Sequence, residues 1–176
     1  NIGLLLSKRA LINPDREAFV DSKSGLRLTF EQLNSRCNSL ANALVKLGIE
    51  PGDRVALALM NSVEFLEAYF AVAKIGGIVV PLNWRLVSDE LEFILKDSGS
   101  ETLIFGEEFV GMIADLHSRG DKTDVKNWLQ VSADNNNSNF AKDYEGFRNQ
   151  ESNTEPEIRA KEDDLLYIMY TSGTTG

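Results

Sequence analysis

Apolar positions change their spacing repeatedly along the chain, and each change marks an element. Leu33, Cys37, Leu40, Leu44 and Leu47 follow one another at intervals of four, three, four and three, which places them on one face of a helix. Thr29 stands in front as an N-cap, with Gln32 as its reciprocal partner, and Gly48 stops the helix. Upstream, Ala18-Phe19-Val20-Asp21 and Leu26-Arg27-Leu28 flank Ser22-Lys23-Ser24-Gly25, the pattern of a hairpin. Downstream, after the turn Pro51-Gly52-Asp53, the run Val55-Ala56-Leu57-Ala58-Leu59-Met60 is apolar without alternation, as in a strand buried on both faces.

The alternation of strand and helix then repeats. Asn61 with Glu64 reads as a capping pair for a helix through Phe65, Leu66, Tyr69 and Phe70 that ends at Gly76-Gly77, and Ile78-Val79-Val80 is the next strand, closed by Pro81. Strand, helix and strand within about thirty residues make a right-handed βαβ crossover. Ser88 to Lys96 reads as a helix, Thr102-Leu103-Ile104-Phe105 as a buried strand, Glu107 to Ser118 as a helix, and Lys126 to Val131 as a strand in which Trp128 and Leu129 pack. The polar runs Asp134 to Asn139 and Gln150 to Pro156 are expected to be mobile surface segments. The fold class expected is α/β, with a doubly wound, mainly parallel sheet flanked by helices. No internal repeat of fixed period is present.

Composition narrows the functions. The chain has 176 residues, and its 18 Lys and Arg against 27 Asp and Glu give a net charge of −9 with no basic stripe. Nucleic acid is therefore excluded as a partner. The single Cys37 can form neither an internal disulfide nor a Cys-rich metal site, which fits a reducing, cytoplasmic compartment, and its place on the apolar helix face makes it a core residue. No run approaches the roughly 18 apolar residues that span a bilayer, and Asn1 to Arg9 carry a short apolar patch without a basic leader. Asn136-Asn137-Ser138 matches a glycosylation triplet within a polar surface loop.

The chemistry lies at Leu165-Leu166-Tyr167-Ile168-Met169-Tyr170, an apolar strand that runs straight into Thr171-Ser172-Gly173-Thr174-Thr175-Gly176. The glycines let backbone N–H groups approach an anion and the four hydroxyls add donors for phosphate oxygens. Alone, such a run also serves as a flexible turn. It is not a Walker loop, since the G-x-x-x-x-G-K-[ST] spacing is absent. His117, the only histidine, reads as surface or partly packed; Glu162-Asp163-Asp164 reads as a solvated approach to the strand; Trp84 is expected to pack and Arg85 to form a surface ion pair.

Tyr170-Thr171-Ser172-Gly173-Thr174-Thr175-Gly176 resembles the signature loop of the adenylate-forming superfamily. Matches in order extend upstream through Leu28-Thr29-Phe30-Glu31-Gln32-Leu33, Gly48-Ile49-Glu50-Pro51-Gly52-Asp53-Arg54-Val55-Ala56, Asn61-Ser62-Val63-Glu64-Phe65, Tyr69-Phe70-Ala71 and Lys74-Ile75-Gly76-Gly77. Val80-Pro81-Leu82-Asn83-Trp84-Arg85-Leu86 is similar to the fatty and aryl acyl-CoA ligases, where peptide-synthetase adenylation domains usually carry Tyr-Val-Pro-Ile-Asp. From about Phe109 to Arg159 no family pattern anchors the match.

The resemblance implies an AMP-forming acyl-CoA ligase that uses Mg-ATP, coenzyme A and a carboxylic acid, most in keeping with a fatty acid. Thr171, Ser172, Gly173, Thr174 and Thr175 would clamp the phosphates and Gly176 would let the loop close. It also implies that residues 1–176 are the N-terminal portion of the AMP-binding domain, without its remainder or the C-terminal domain. Such a portion holds no catalytic residue and no metal ligand of its own and is expected to be inactive alone. Two alternatives stand beside this: an adenylating domain that loads a carrier protein, and a truncated, non-catalytic binding module.

Overall fold

A computed structural model describes residues 2–133 and 136–171. The elements in order are α1 (Gly3–Ile12), β1 (Glu17–Val20), β2 (Arg27–Thr29), α2 (Phe30–Leu47), β3 (Arg54–Ala58), α3 (Val63–Lys74), β4 (Ile78–Pro81), α4 (Ser88–Ser98), β5 (Thr102–Gly106), α5 (Val110–Ser118), β6 (Asn127–Val131), β7 (Lys142–Asp143) and α6 (Tyr144–Asn149). Strands β1 and β2 form the expected hairpin. Five strands form a parallel sheet in the order β4-β3-β5-β6-β7, so the chain winds outward in both directions from β3. The doubly wound α/β arrangement is thus present.

Why both faces are apolar is visible in β3. Val55 and Leu57 point toward α2, α3 and α6, with Ile104 of β5 and Leu129 of β6 on the same side. Ala56 and Ala58 point the other way, toward α4 and α5, together with Leu103, Phe105 and Trp128. A period of two with both faces covered reads as a continuous apolar run. A third cluster joins α1 to the hairpin and α2 through Leu6, Leu28, Leu33 and Cys37.

The helix boundaries follow local chemistry. Thr29 Oγ1 accepts from the Gln32 N–H at 3.2 Å and Gln32 Oε1 accepts from the Thr29 N–H at 2.9 Å, the expected capping box. Gly48 ends α2 at φ 103°, a left-handed conformation that favours glycine. For α3 the cap is Ser62, not Asn61: Ser62 Oγ accepts from the Phe65 N–H at 3.3 Å. The stretch expected as one helix from Glu107 opens as a 3₁₀ turn, Glu107–Phe109, before α5 begins at Val110.

The N-terminal apolar patch is helix α1, whose Gly3 lies so close to α3 that a Cβ there would be 2.8 Å from the Lys74 backbone. Two segments expected to be mobile are held instead. The Asn-rich loop is held beyond its undescribed Asp134 and Asn135, since the Ser138 N–H donates to the buried Gln130 Oε1 at 2.8 Å. Gln150 to Pro156 is a strap bound to α2. Asn42 Nδ2 donates to the carbonyls of Ser152 (2.7 Å) and Thr154 (2.9 Å), and Asn38 Nδ2 to that of Asn153 (3.1 Å) and to Glu155 Oε2 (3.0 Å). Glu155 also pairs with the buried ammonium of Lys74, which donates to Ser7 Oγ at 2.6 Å and Asn34 Oδ1 at 3.0 Å. Polarity made this segment look free, yet its polar groups are what bind it.

Burial raises the Glu155 carboxyl, but hydrogen bonds from Lys74, Ser7 and Asn34 outweigh it and hold the group below its ordinary 4.5. The unfolded chain therefore takes up this proton first, so the stabilisation is complete above 4.5 and is lost as pH falls through the folded value. Glu155→Gln is expected to cost about 1–2 kcal/mol at neutral pH, the partial exposure of the carboxylate screening the pair. The difference from wild type should shrink below pH 4.5, as read by urea midpoints across a pH series.

Candidate functional site

Leu165 to Tyr170 lies on the open edge of β4. One parallel rung joins Val79 to Tyr167, with the Val79 N–H donating to the Leu166 carbonyl at 3.0 Å and the Ile168 N–H to the Val79 carbonyl at 2.9 Å. The strand expected over Leu165 to Tyr170 is reduced to this single bridge at Tyr167. Ile168 and Tyr170 pack into the cluster under α4, while Leu165, Tyr167 and Met169 are exposed, so the segment alternates as an edge strand does. The Tyr170 hydroxyl donates to Asp97 Oδ2 at 2.6 Å. Burial and then the Asp97 carboxylate push the Tyr170 phenol up to about 12.

The segment leads to Thr171, which is exposed. Ser172, Gly173, Thr174, Thr175 and Gly176 lie outside the described residues. The point where winding reverses, between β3 and β5, has a separate cleft of about 380 Å³ at the carboxyl ends of the strands, bordered by Met60, Ser62, Gly106 and Ser132. Glu64, Glu107, Glu108 and Glu145 also line it, which suits a polyanion poorly. Leu165 to Tyr170 meets the sheet at the outer edge of β4, away from this cleft.

The remaining sequence candidates are placed as follows. His117 is exposed and stacks on Phe140 with ring centroids 4.2 Å apart and edge-on to Trp128. Glu162, Asp163 and Asp164 are exposed, and Asp164 Oδ2 accepts the Lys161 N–H at 2.8 Å. Trp84 is not packed as expected: it is 55% exposed, and Arg85 lies over its ring at 4.8 Å, with no ion pair of Arg85 among the described residues. Cys37 is fully buried, and burial drives its thiol pKa far up, so no thiolate is available for chemistry.

A buried ionic centre escaped the sequence reading. Glu67 of α3, with 0% of its side chain exposed, pairs with Arg36 of α2 and accepts the Tyr144 hydroxyl at 2.9 Å, with Arg148 Nε of α6 at 3.9 Å. Burial raises the Glu67 pKa against the pull of Arg36, and burial followed by the Glu67 charge raises that of Tyr144. Glu67, one of two glutamates in a mostly apolar helix, gave no sign of this. Its partners are 31 and 77 residues away.

A model of the family described as AMP-binding enzyme matches residues 6–176. The chain belongs to that family. Long-chain-fatty-acid–CoA ligase FadD13 of Mycobacterium tuberculosis is 40% identical over 177 aligned residues, covering 100% of this chain and 33% of the relative. A fatty acid–[acyl-carrier-protein] ligase, ScoC of Streptomyces coeruleorubidus, is 33% identical over 86% of this chain and 27% of its own length. Among solved structures, the inhibitor-bound N-terminal domain of FACL13 from Mycobacterium tuberculosis superposes with a TM-score of 0.89 at 37% identity, over 100% of this chain and 42% of that one. The chain spans about a third of the length of the curated relatives it matches. Its sheet is thus that of the N-terminal domain of adenylate-forming enzymes.

The Glu67 centre joins side chains from three helices, Arg36 of α2, Glu67 of α3 and Tyr144 and Arg148 of α6, which makes it a clamp on α6. Tyr144→Phe is expected to cost about 1.5–3 kcal/mol, the range for a hydrogen bond to a charged group, in urea unfolding.

Proposed function

We propose that the protein carrying this chain is an AMP-forming acyl-CoA ligase acting on a fatty acid. The carboxylate attacks the α-phosphorus of ATP to give an acyl-adenylate and pyrophosphate, and the thiol of coenzyme A then displaces AMP. The observation that supports this most is the delivery of Thr171 to the surface by a segment fixed to β4 and α4, directly before Ser172-Gly173-Thr174-Thr175-Gly176. Such a reaction needs held phosphates more than a protein nucleophile.

In this reading the hydroxyls of Thr171, Ser172, Thr174 and Thr175 and the backbone at Gly173 grip the phosphates, while Gly176 gives the loop freedom to close. Magnesium arriving with ATP would supply neutralisation of charge on the departing pyrophosphate. Among the described residues no group of three or more His, Cys, Asp or Glu could hold a metal. Among the described residues no helix is long and apolar enough to cross a membrane. We place the reaction in the cytoplasm on the strength of a lone, buried, unpaired cysteine.

Residues 1–176 are in this reading the N-terminal portion of the AMP-binding domain and do not catalyse the reaction alone. Fatty-acid-dependent ATP–pyrophosphate exchange is expected from the full-length protein and not from residues 1–176; exchange by the latter would sink the second claim. Thr174→Val in the full-length protein should lower exchange by about ten-fold or more, as loss of a transition-state donor does. The likeness to a carrier-protein ligase keeps that acceptor as a second reading. Thioester formation with coenzyme A, against thioester formation only with a phosphopantetheinyl carrier protein, decides between them.

A further inference from the structure

We propose that Asp97 is a positioning residue for the phosphate loop, holding through the Tyr170 hydroxyl the point at which the edge strand passes into Thr171. The proposal rests on the reading of Thr171–Gly176 as a phosphate grip.

Backbone pairing of the edge segment stops early. Among the described residues its last hydrogen bond to the sheet is from the Ile168 N–H to Val79, and Met169 beyond it is exposed. Tyr170 is therefore the final side chain with a hold on the fold before the loop. Its ring is half-buried in the cluster under α4, and its hydroxyl meets Asp97 Oδ2 at 2.6 Å.

Asp97 is itself fixed. It occupies the last turn of α4, and the two carbonyls that follow it are taken by Arg54 of β3, from Nε to Ser98 at 2.8 Å and from Nη2 to Gly99 at 2.7 Å. Gly99 ends the helix at φ 60°, where an added Cβ would stand 2.6 Å from the Arg54 guanidinium. The hydroxyls of Ser98 and Ser100 lie 2.8 Å apart and brace the same turn. A continuous set of contacts thus runs from β3 through Arg54, the α4–β5 turn and Asp97 to Tyr170. Neighbouring Lys96 is engaged elsewhere, with Asp124 at 2.8 Å. The raised phenol keeps its proton throughout the neutral range and so remains a donor to Asp97.

What this hold supplies is registry. A phosphate clamp works only while its donors stay within a fraction of an ångström of the phosphate oxygens, and a displacement of about 1 Å can cost two orders of magnitude in rate. With the Asp97 contact removed, the stem beyond Ile168 keeps ring packing and the contact of the Tyr170 hydroxyl with the Ser98 hydroxyl.

The test uses the full-length protein and three variants, Asp97→Ala, Tyr170→Phe and Asp97→Asn, the last of which retains an acceptor oxygen. Mg-ATP affinity by calorimetry needs no turnover, and the KM for ATP and for fatty acid are compared beside it. Asp97→Ala and Tyr170→Phe are expected to weaken Mg-ATP binding and raise its KM by roughly ten-fold with the fatty-acid KM unchanged, while Asp97→Asn stays within about three-fold of wild type. Equal Mg-ATP affinity in all four proteins, or equal loss in Asp97→Asn and Asp97→Ala, overturns the positioning role. Absence of exchange in wild type that still binds Mg-ATP defeats the ligase reading alone, and absence of Mg-ATP binding in wild type defeats both.

Discussion

The fold depends on closing a long excursion of chain with a polar clasp. The edge of β4 at Val79 pairs with Tyr167, far away in sequence, and between them the chain builds two more helices on one face, one on the other and three more strands. Hydrophobic packing completes each of those units but does not by itself bring the last segment back past α2 and α3. The strap does so, with Asn38 and Asn42 holding its carbonyls and Lys74 holding Glu155. An ammonium with 2% exposure is costly without partners, and Ser7, Asn34 and Glu155 supply three from separate parts of the chain. Directional contacts of this kind fix where the strap lies, which apolar contact alone does less well.

The two faces of the sheet are held differently. On the α2, α3 and α6 side, apolar packing surrounds the ionic group of Glu67, Arg36, Tyr144 and Arg148, so α6 is both buried and oriented. On the α4 and α5 side, aliphatic residues give way at the margin to His117, Trp128 and Phe140, whose rings meet edge-on and stacked. Arg119 adds a surface tie, with Asp89 and Glu92 of α4 and Asp115 of α5 each within 2.8 Å. The edge segment before the loop rests on this second side, where its neighbours are rigid turns.

How much was legible in the sequence follows from range. Elements specified by local chemistry could be read: the capping box at Thr29, the left-handed stop at Gly48, and the both-faces-buried run at Val55. The signature loop could be read because it is contiguous, although the residues that fix its stem could not, since Asp97 and Tyr170 are 73 positions apart. Gln150 to Pro156 misled because composition reports affinity for water and not whether another side chain replaces that water. Trp84 misled for the opposite reason, a large ring read as core although it is stacked against Arg85 at the surface. Short α6 lacked a periodic stretch long enough to count, and its tertiary partners, not its propensity, hold it in place.

Cys37 carries a consequence that concerns time. Its sulfur is sealed beneath α1, the hairpin and α3, and it is the chain's only thiol. An alkylating reagent can reach it only when those elements part from α2, so the rate of labelling under native conditions counts openings of that region, one molecule at a time. Residues 1–176 thus carry a chemical clock for the motion of their N-terminal layer in a native side chain.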